Sequence, residues 1–354
     1  MFRSQNREPD FENLKQVLQK KAPPRAVLFE FLLGENKEKR LTGTEFRSSS
    51  EFDRVVTTIK AFDSGGYDFA PIIVRGLVFE RKSHFVSHAL TKSLNEGSVI
   101  TDRQSFENYA WPEIENCDFS IISKAASYLH PKAKFIPFSH DGILENVIGI
   151  VGYERLCLML YEDEPLVSAI FFEVGKRIHS YFKACLSYPE VGAVILNDDW
   201  GFNTHTLISP KALRKYVFPW YKEIVVMTHD NGKYAILHSC GRYDAIIEDI
   251  IGDMRFDARH SYEDGITPVE TAYEALKGRL AVLGGMDVGF MARSGAEEIY
   301  ERSTRMLRRS AGLGGYALGS GNSIPDYIPD ENYLAMLQAA FDWENREGGR
   351  DDPN

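Results

Sequence analysis

Cysteine is scarce in this chain, with four in 354 residues: Cys117, Cys157, Cys185 and Cys240. They are too few and too scattered to form a disulfide framework, and they fit a reducing, cytoplasmic setting. No apolar run approaches the ~20 residues needed to span a bilayer. The N-terminus has no apolar signal core either, since Arg3, Arg7, Glu8 and Asp10 come early. A soluble protein is the expectation. Positive charge is in deficit, 41 basic against 51 acidic residues for a net charge of -10, and it forms no dense block. Nucleic acid and anionic membrane are therefore poor partners. A dinucleotide-binding fingerprint after the first candidate strand and a phosphate-loop lysine are also missing.

What is present is enough apolar residue, 44% of the chain, to bury one large core, and a regular rhythm of helix and strand. Phe11, Leu14, Val17 and Leu18 make a helical stripe that Pro23-Pro24 ends before the short run Ala26 to Phe31. Further strand candidates are Phe69 to Ile73, Lys134 to His140, Val191 to Leu196, Ala235 to Cys240, Arg255 to His260, Leu280 to Leu283 and Tyr316 to Leu318. Helical stretches lie between them. One is Asp163 to Leu186 with Pro165 in its first turn; another opens at Ser209-Pro210 and should kink at Pro219. Eight strands alternating with helices predict an α/β fold, a (β/α)8 TIM barrel with an N-terminal helix. It fills a single domain over residues 1–344, and the polar tail 345–354 is expected to be disordered. From about 77 to 112 the rhythm breaks. Leu77-Val78-Phe79, Phe85-Val86 and Ser98-Val99-Ile100 read as a hairpin-like insertion near the barrel mouth, anchored by Tyr109-Ala110-Trp111-Pro112.

Active sites of such barrels sit at the C-terminal ends of the strands, and polar residues cluster at those ends here: Glu30, His140, Asp198, Asp199, His238, Cys240, His260, Asp287 and Asn322. In Ala235-Ile236-Leu237-His238-Ser239-Cys240-Gly241, His238 and Cys240 are two apart, so an extended backbone points both to one side. An imidazole and a thiolate facing one space suit zinc; a buried polar pair is the simpler alternative. Of the neighbours Asp198 and Asp199, one is expected to face the mouth and the other to point away or cap a loop. The inward carboxylate could bind metal, orient His238 or act as a general base. The glycines at 284–285 and 319–321 read as tight turns in preference to a phosphate site.

These residues resemble a known family. His238-Ser239-Cys240-Gly241, Asp198-Asp199-Trp200-Gly201, Ile208-Ser209-Pro210 with Phe218-Pro219-Trp220, Leu283-Gly284-Gly285-Met286-Asp287, Ile324-Pro325 and Glu331-Asn332 together resemble the uroporphyrinogen decarboxylase superfamily. Within it they are most similar to the corrinoid-linked methyltransferase branch, and Tyr109 to Pro112 is similar to the methyltransferase components of O-demethylase systems. The resemblance spans about 13–341 and implies a TIM barrel. It also implies a methyltransferase that moves a methyl group between a small methylated substrate or thiol and a corrinoid protein, with zinc as Lewis acid.

By that resemblance His238 and Cys240 bind zinc. The family's further cysteine, in a Gly-Cys-x-Ile-Pro context, is replaced in Gly321-Asn322-Ser323-Ile324-Pro325, and a neutral amide is a poor zinc ligand. A carboxylate, Glu30, Asp198 or Asp199, is then expected to complete the site. Glu30 is assigned to the metal and Asp198, Asp199, His260 and Asn322 to catalysis, Asn322 as a hydrogen-bonding partner of substrate. The decarboxylases carry arginines after the first strand, where this chain reads Phe29-Glu30-Phe31-Leu32-Leu33-Gly34-Glu35. Alternatives are a metal-free lyase that uses one of the two aspartates, and a binding protein that has lost its chemistry.

Overall fold

A computed structural model describes residues 7–43, 50–81 and 98–347. Seven strands, β1 Phe69–Ile73, β2 Lys134–Phe138, β3 Ala193–Asn197, β4 Tyr234–His238, β5 Ala258–His260, β6 Ala281–Leu283 and β7 Tyr316–Ala317, form one sheet in sequential order. Every pairing is parallel. Parallel neighbours need a crossover between them, and helices supply it, which leaves β3 and β4 apolar on both faces: Ala193-Val194-Ile195-Leu196 and Ala235-Ile236-Leu237 are all buried.

The expected first strand, Ala26 to Phe31, is present as a single bridge, Leu28 to Leu318, beside β7. Phe29 N–H donates to the Leu318 carbonyl, Leu318 N–H donates to that of Val27, and the Phe29 ring stacks on Phe69 of β1 at 5.1 Å. This eighth segment thus lies between the two ends of the sheet, and the whole is a TIM-like barrel. The two backbones approach closely just beyond the bridge: a Cβ at Gly319 would fall 1.7 Å from the Phe29 carbonyl oxygen.

Helix Phe11–Leu18, capped by Asp10, buries Phe11, Leu14, Val17 and Leu18. Phe11 N–H bonds the Lys132 carbonyl just before β2, and its ring abuts Gly192 just before β3. The helix therefore covers the N-terminal end of the barrel, and the strand ends that carry the polar residues open on the opposite side. Asp163 caps helix Glu164–Leu186 with Pro165 in its first turn. Ser209 caps Pro210–Tyr216, and the helix breaks at Val217 before Phe218–Asp230, where Pro219 removes a donor.

Two expectations change. The insertion is not a hairpin in its described parts: residues 77–81 and 98–112 hold no strand, and Phe85-Val86 lies outside the described residues. Val99 and Ile100 donate to the Ile150 carbonyl and Ser98 Oγ donates to that of Val151, so this segment satisfies the open carbonyl end of helix Ile143–Val151 instead of pairing with a strand. Trp111 does anchor it, packing on Tyr109, Phe106 and Phe79 with the Arg177 guanidinium 5.1 Å from its ring. At the other end, helix Asp330–Glu347 runs past 344, and the rest of the tail lies outside the described residues.

The layers are tied by Tyr221, whose hydroxyl donates to Asp198 Oδ2 at 2.9 Å and accepts from Ile143 N–H at 3.1 Å. Tyr221→Phe strands both partners in the interior. It should lower the unfolding free energy by about 1–3 kcal/mol, seen as a lower urea midpoint at unchanged m-value.

Candidate metal centre

β4 ends at His238, and the next residues turn sharply. Gly241 has φ +102°, and a Cβ there would fall 2.3 Å from the Gly201 carbonyl carbon. Only glycine lets the turn after β4 press against the turn after β3. The result brings ligand atoms of Asp199, His238 and Cys240 within 4.8 Å of one another.

Asp198 and Asp199 divide as adjacent residues at a strand end must. Asp198 is fully buried and turned into the wall, where its carboxylate accepts from Leu144 N–H, Glu145 N–H, Trp200 Nε1 and Tyr221 hydroxyl, each at 2.8–2.9 Å. Burial pushes its carboxyl up to about 7 against the pull of those four donors. It caps helix Ile143–Val151 and has no acceptor site left for metal or substrate. Asp199 faces the mouth, its Oδ1 accepting Cys240 N–H at 2.7 Å.

His238 is held in one tautomer. Its Nδ1 lies 2.7 Å from Nδ1 of His260, whose Nε2 lies 3.2 Å from the Ser320 carbonyl oxygen. A carbonyl only accepts, so His260 carries its proton on Nε2. Burial keeps both rings neutral: it pushes His260 down to about 3 and holds His238 well below the usual histidine range, helped by His260 and Arg259. The free Nδ1 of His260 then accepts from His238 Nδ1–H, and the lone pair of His238 Nε2 is left for a metal ion. Phe31, 4.4 Å from the His238 ring, and Phe29, 5.2 Å from that of His260, exclude water from the pair. His260 therefore acts through His238.

Glu30, assigned to the metal from sequence, is not brought to this cluster. It is fully buried on the far side of Ser320, accepting Ser320 N–H at 2.6 Å and Ser320 Oγ at 2.5 Å. It holds the backbone N–H and hydroxyl of the residue whose carbonyl orients His260, and burial pushes its carboxyl up to about 8. Asn322 donates to Cys240 Sγ at 3.4 Å, so it supports a ligand where the resemblance would place one. His140 is exposed at the rim beside Asp141, which raises its pKa. Asp287 caps the next helix through Phe290 N–H. The glycines after β6 form a tight turn: Gly285 and Met286 N–H groups bond Ser320 and Gly319 carbonyls, leaving no amides for a phosphate.

Two residues escaped the sequence reading. Ser261 donates to Cys240 Sγ at 3.2 Å from a backbone φ of +85°, a conformation a serine reaches only under strain. Glu145, one turn into the helix that Asp198 caps, has its carboxyl raised by burial and by Asp198, Asp199 and Asp141; its place a turn after His140 was the only signal. Burial, followed by the charge of Asp199, also raises the Cys240 thiol. Without a cation the thiol stays protonated; with one, the two donors at Sγ are placed to support a thiolate. One nitrogen, one sulfur and one carboxylate oxygen make a donor set that fits zinc and leaves one tetrahedral position open.

A sequence model of the family described as uroporphyrinogen decarboxylase (URO-D) matches residues 105–343, more than half of the chain. The chain belongs to that family. No curated protein matches it. Among solved structures, a methyltransferase from Methanosarcina mazei superposes with a TM-score of 0.69 at 14% identity, over 97% of this chain and 99% of that one. A protein from Listeria monocytogenes described as a vitamin-B12-independent methionine synthase gives 0.48 at 13% identity, over 96% and 98%. The first likeness supports the fold, and the second carries no argument.

The donor set predicts about one zinc per chain by mass spectrometry, lost in His238→Ala/Cys240→Ala and in Asp199→Ala but retained in Asn322→Ala. A second expectation concerns pH. The unfolded chain ionises Glu30 near 4.5, whereas the folded chain holds it protonated to about 8, so its contribution to stability falls as pH rises between those values. The buried histidines act oppositely, losing stability as pH falls below about 6.5, where the unfolded chain takes up protons. Glu30→Gln should flatten the alkaline side by on the order of 3 kcal/mol between pH 5 and 8, measured by urea unfolding at each pH.

Proposed function

We propose that this uroporphyrinogen decarboxylase family member is a zinc-dependent methyltransferase that moves a methyl group between a small substrate and the corrinoid of a partner protein. The observation that carries the reading is the convergence of Asp199, His238 and Cys240 at the C-terminal end of the barrel, with the His238 tautomer fixed so that Nε2 is available. The corrinoid part rests on the motif resemblance between Asp198 and Asn332. A decarboxylase-like lyase using Asp198 is disfavoured, because all four of its hydrogen bonds run into the wall.

Zinc held by the three ligands would supply Lewis acidity, lowering the pKa of a thiol acceptor or drawing charge from the oxygen of an ether donor. The rest is the work of the chain. His260 and the Ser320 carbonyl keep the His238 ring fixed. Ser261 and Asn322 would support a thiolate at Cys240 Sγ, and Glu30 holds Ser320 through its N–H and hydroxyl. Phe31 covers the ring pair so that the reacting atoms meet ligands and not bulk water.

The test follows cobalamin absorption with zinc-loaded protein in two directions: methylcobalamin with thiols, and reduced cobalamin with methoxylated aromatics and simple methylated compounds. Transfer in at least one direction is expected. Cys240→Ala should lose it by about a hundredfold or more, and Asn322→Ala should lower the rate about ten- to a hundredfold while keeping zinc. No transfer by zinc-loaded protein across both panels would refute the reading.

A further inference from the structure

The cluster does not end in bulk solvent. A cavity of about 370 Å³ opens beside it, lined by Asn322, Tyr262, Glu263, Asp287, Pro325 and Tyr327 among others. Asn322 is the hinge between the two, since the same side chain lines the cavity and touches Cys240 Sγ. A substrate with one end at the metal would therefore place its other end here.

That end meets two carboxylates, neither of them in an ion pair among the described residues. Glu263 has no hydrogen-bond or ion-pair partner among the described residues; burial, Asp287 and Asp199 raise its carboxyl, and the more distant Arg259 lowers it. Asp287 accepts only backbone N–H groups, from Phe290 at 2.7 Å and Asp264 at 3.0 Å. Two of the neighbouring cations are engaged elsewhere. Arg302 is paired with Asp264 and Glu270. Arg259 lies behind the wall, its guanidinium 4.0 Å from the Tyr243 ring and 4.7 Å from that of Tyr262, donating to the Ser239 and Gly241 carbonyls. Arg293 comes near Asp287 across Gly289 but forms no ion pair with it among the described residues. Two aromatic side chains complete the lining: Tyr327, 69% exposed at the rim, and Tyr262, 3% exposed with the Arg259 guanidinium beside its ring. Carboxylates beside aromatic rings are the environment that attracts an ammonium group, whether primary or alkylated.

We propose that this cavity receives the cationic nitrogen of a substrate whose thiol or ether end lies at Asp199, His238 and Cys240; the substrate class is an aminothiol or an aminoether. The assignment rests on the metal-centre reading above and narrows it. Glu263 is the principal counter-ion, Asp287 supports it, and the Tyr327 ring covers the open side. An anionic tail is repelled, and a neutral one leaves Glu263 uncompensated.

The experiment is calorimetry on zinc-loaded protein at low salt with three thiols of matched reach. They are thiocholine, its neutral isostere with carbon in place of the quaternary nitrogen, and mercaptoethanesulfonate. The quaternary nitrogen has no lone pair and cannot chelate the metal, so any preference for it reports on the cavity. Thiocholine should bind about tenfold more tightly than its isostere, with mercaptoethanesulfonate the weakest. Glu263→Gln, shown by its zinc content to be folded, should reduce the preference to about twofold or less. If that variant fails to fold, the charge series on the wild type decides alone. Equal affinities, or a preference for mercaptoethanesulfonate, in protein that holds zinc would overturn the inference and leave the metal centre standing. Protein that takes up no zinc and binds no thiol would overturn both.

Discussion

The site depends on one buried carboxylate that touches no substrate. Asp198 sits at the end of β3 with no exposure, and every polar atom it has is used. Its side chain holds the first turn of helix Ile143–Val151, the Trp200 indole and the Tyr221 hydroxyl. Its backbone N–H donates to the His238 carbonyl, and its own carbonyl accepts from Ser239 Oγ. The turns after β3 and β4 are thereby fastened to each other and to two helices. Asp199 and Cys240 meet because the residue before each is locked. An aspartate there is costly to bury and costly to remove, since four donors would lose their acceptor together. That cost confers rigidity at the point where two ligands must be placed relative to each other.

A second chain of contacts orients His238. It runs from Glu30 through Ser320 to His260 and then His238, crossing from the eighth segment of the barrel to the turn after β7, then to β5 and β4. Each member has one useful state in the dry interior. The carboxyl is held up by burial, the two imidazoles are held neutral, and the carbonyl can only accept. The chain therefore passes direction without passing charge. It presents a lone pair at His238 Nε2 over a pH range set by burial and not by bulk histidine chemistry.

The architecture was legible because its signals are local. Alternating apolar runs, Ser209-Pro210, Asp163 with Pro165, and the two-residue spacing of His238 and Cys240 are each decided within a few positions. The choice between Asp198 and Asp199 was not, because the two are chemically identical. Which one turns inward is decided by donors on a helix more than 50 residues earlier and by Tyr221 on another. Glu30 offered a carboxylate at the right end of the right strand, yet whether it reaches the cluster depends on Ser320, 290 residues away. The strained backbone of Ser261 leaves no mark in sequence at all. The insertion misled for a related reason: short apolar runs such as Ser98-Val99-Ile100 suit a hairpin or an extended segment bonding a helix end equally well, and tertiary contact decides between them.

Asn322 links these levels. The resemblance places a cysteine there, on the β7 side of the mouth, and the amide that replaces it reaches Cys240 Sγ as a donor. The carboxylate that meets His238 and Cys240 is instead that of Asp199 after β3, on the opposite flank of β4. With Asp199 in place of such a cysteine, the β7 side of the mouth would be left free of metal ligands. That side is where the cavity lined by Asn322, Glu263, Asp287 and Tyr327 lies. A change that looks like the loss of a ligand in sequence is, in the folded chain, coupled to room for a substrate beside the remaining ones. The acidic lining of that room makes charge, more than size, the property by which substrates would be sorted.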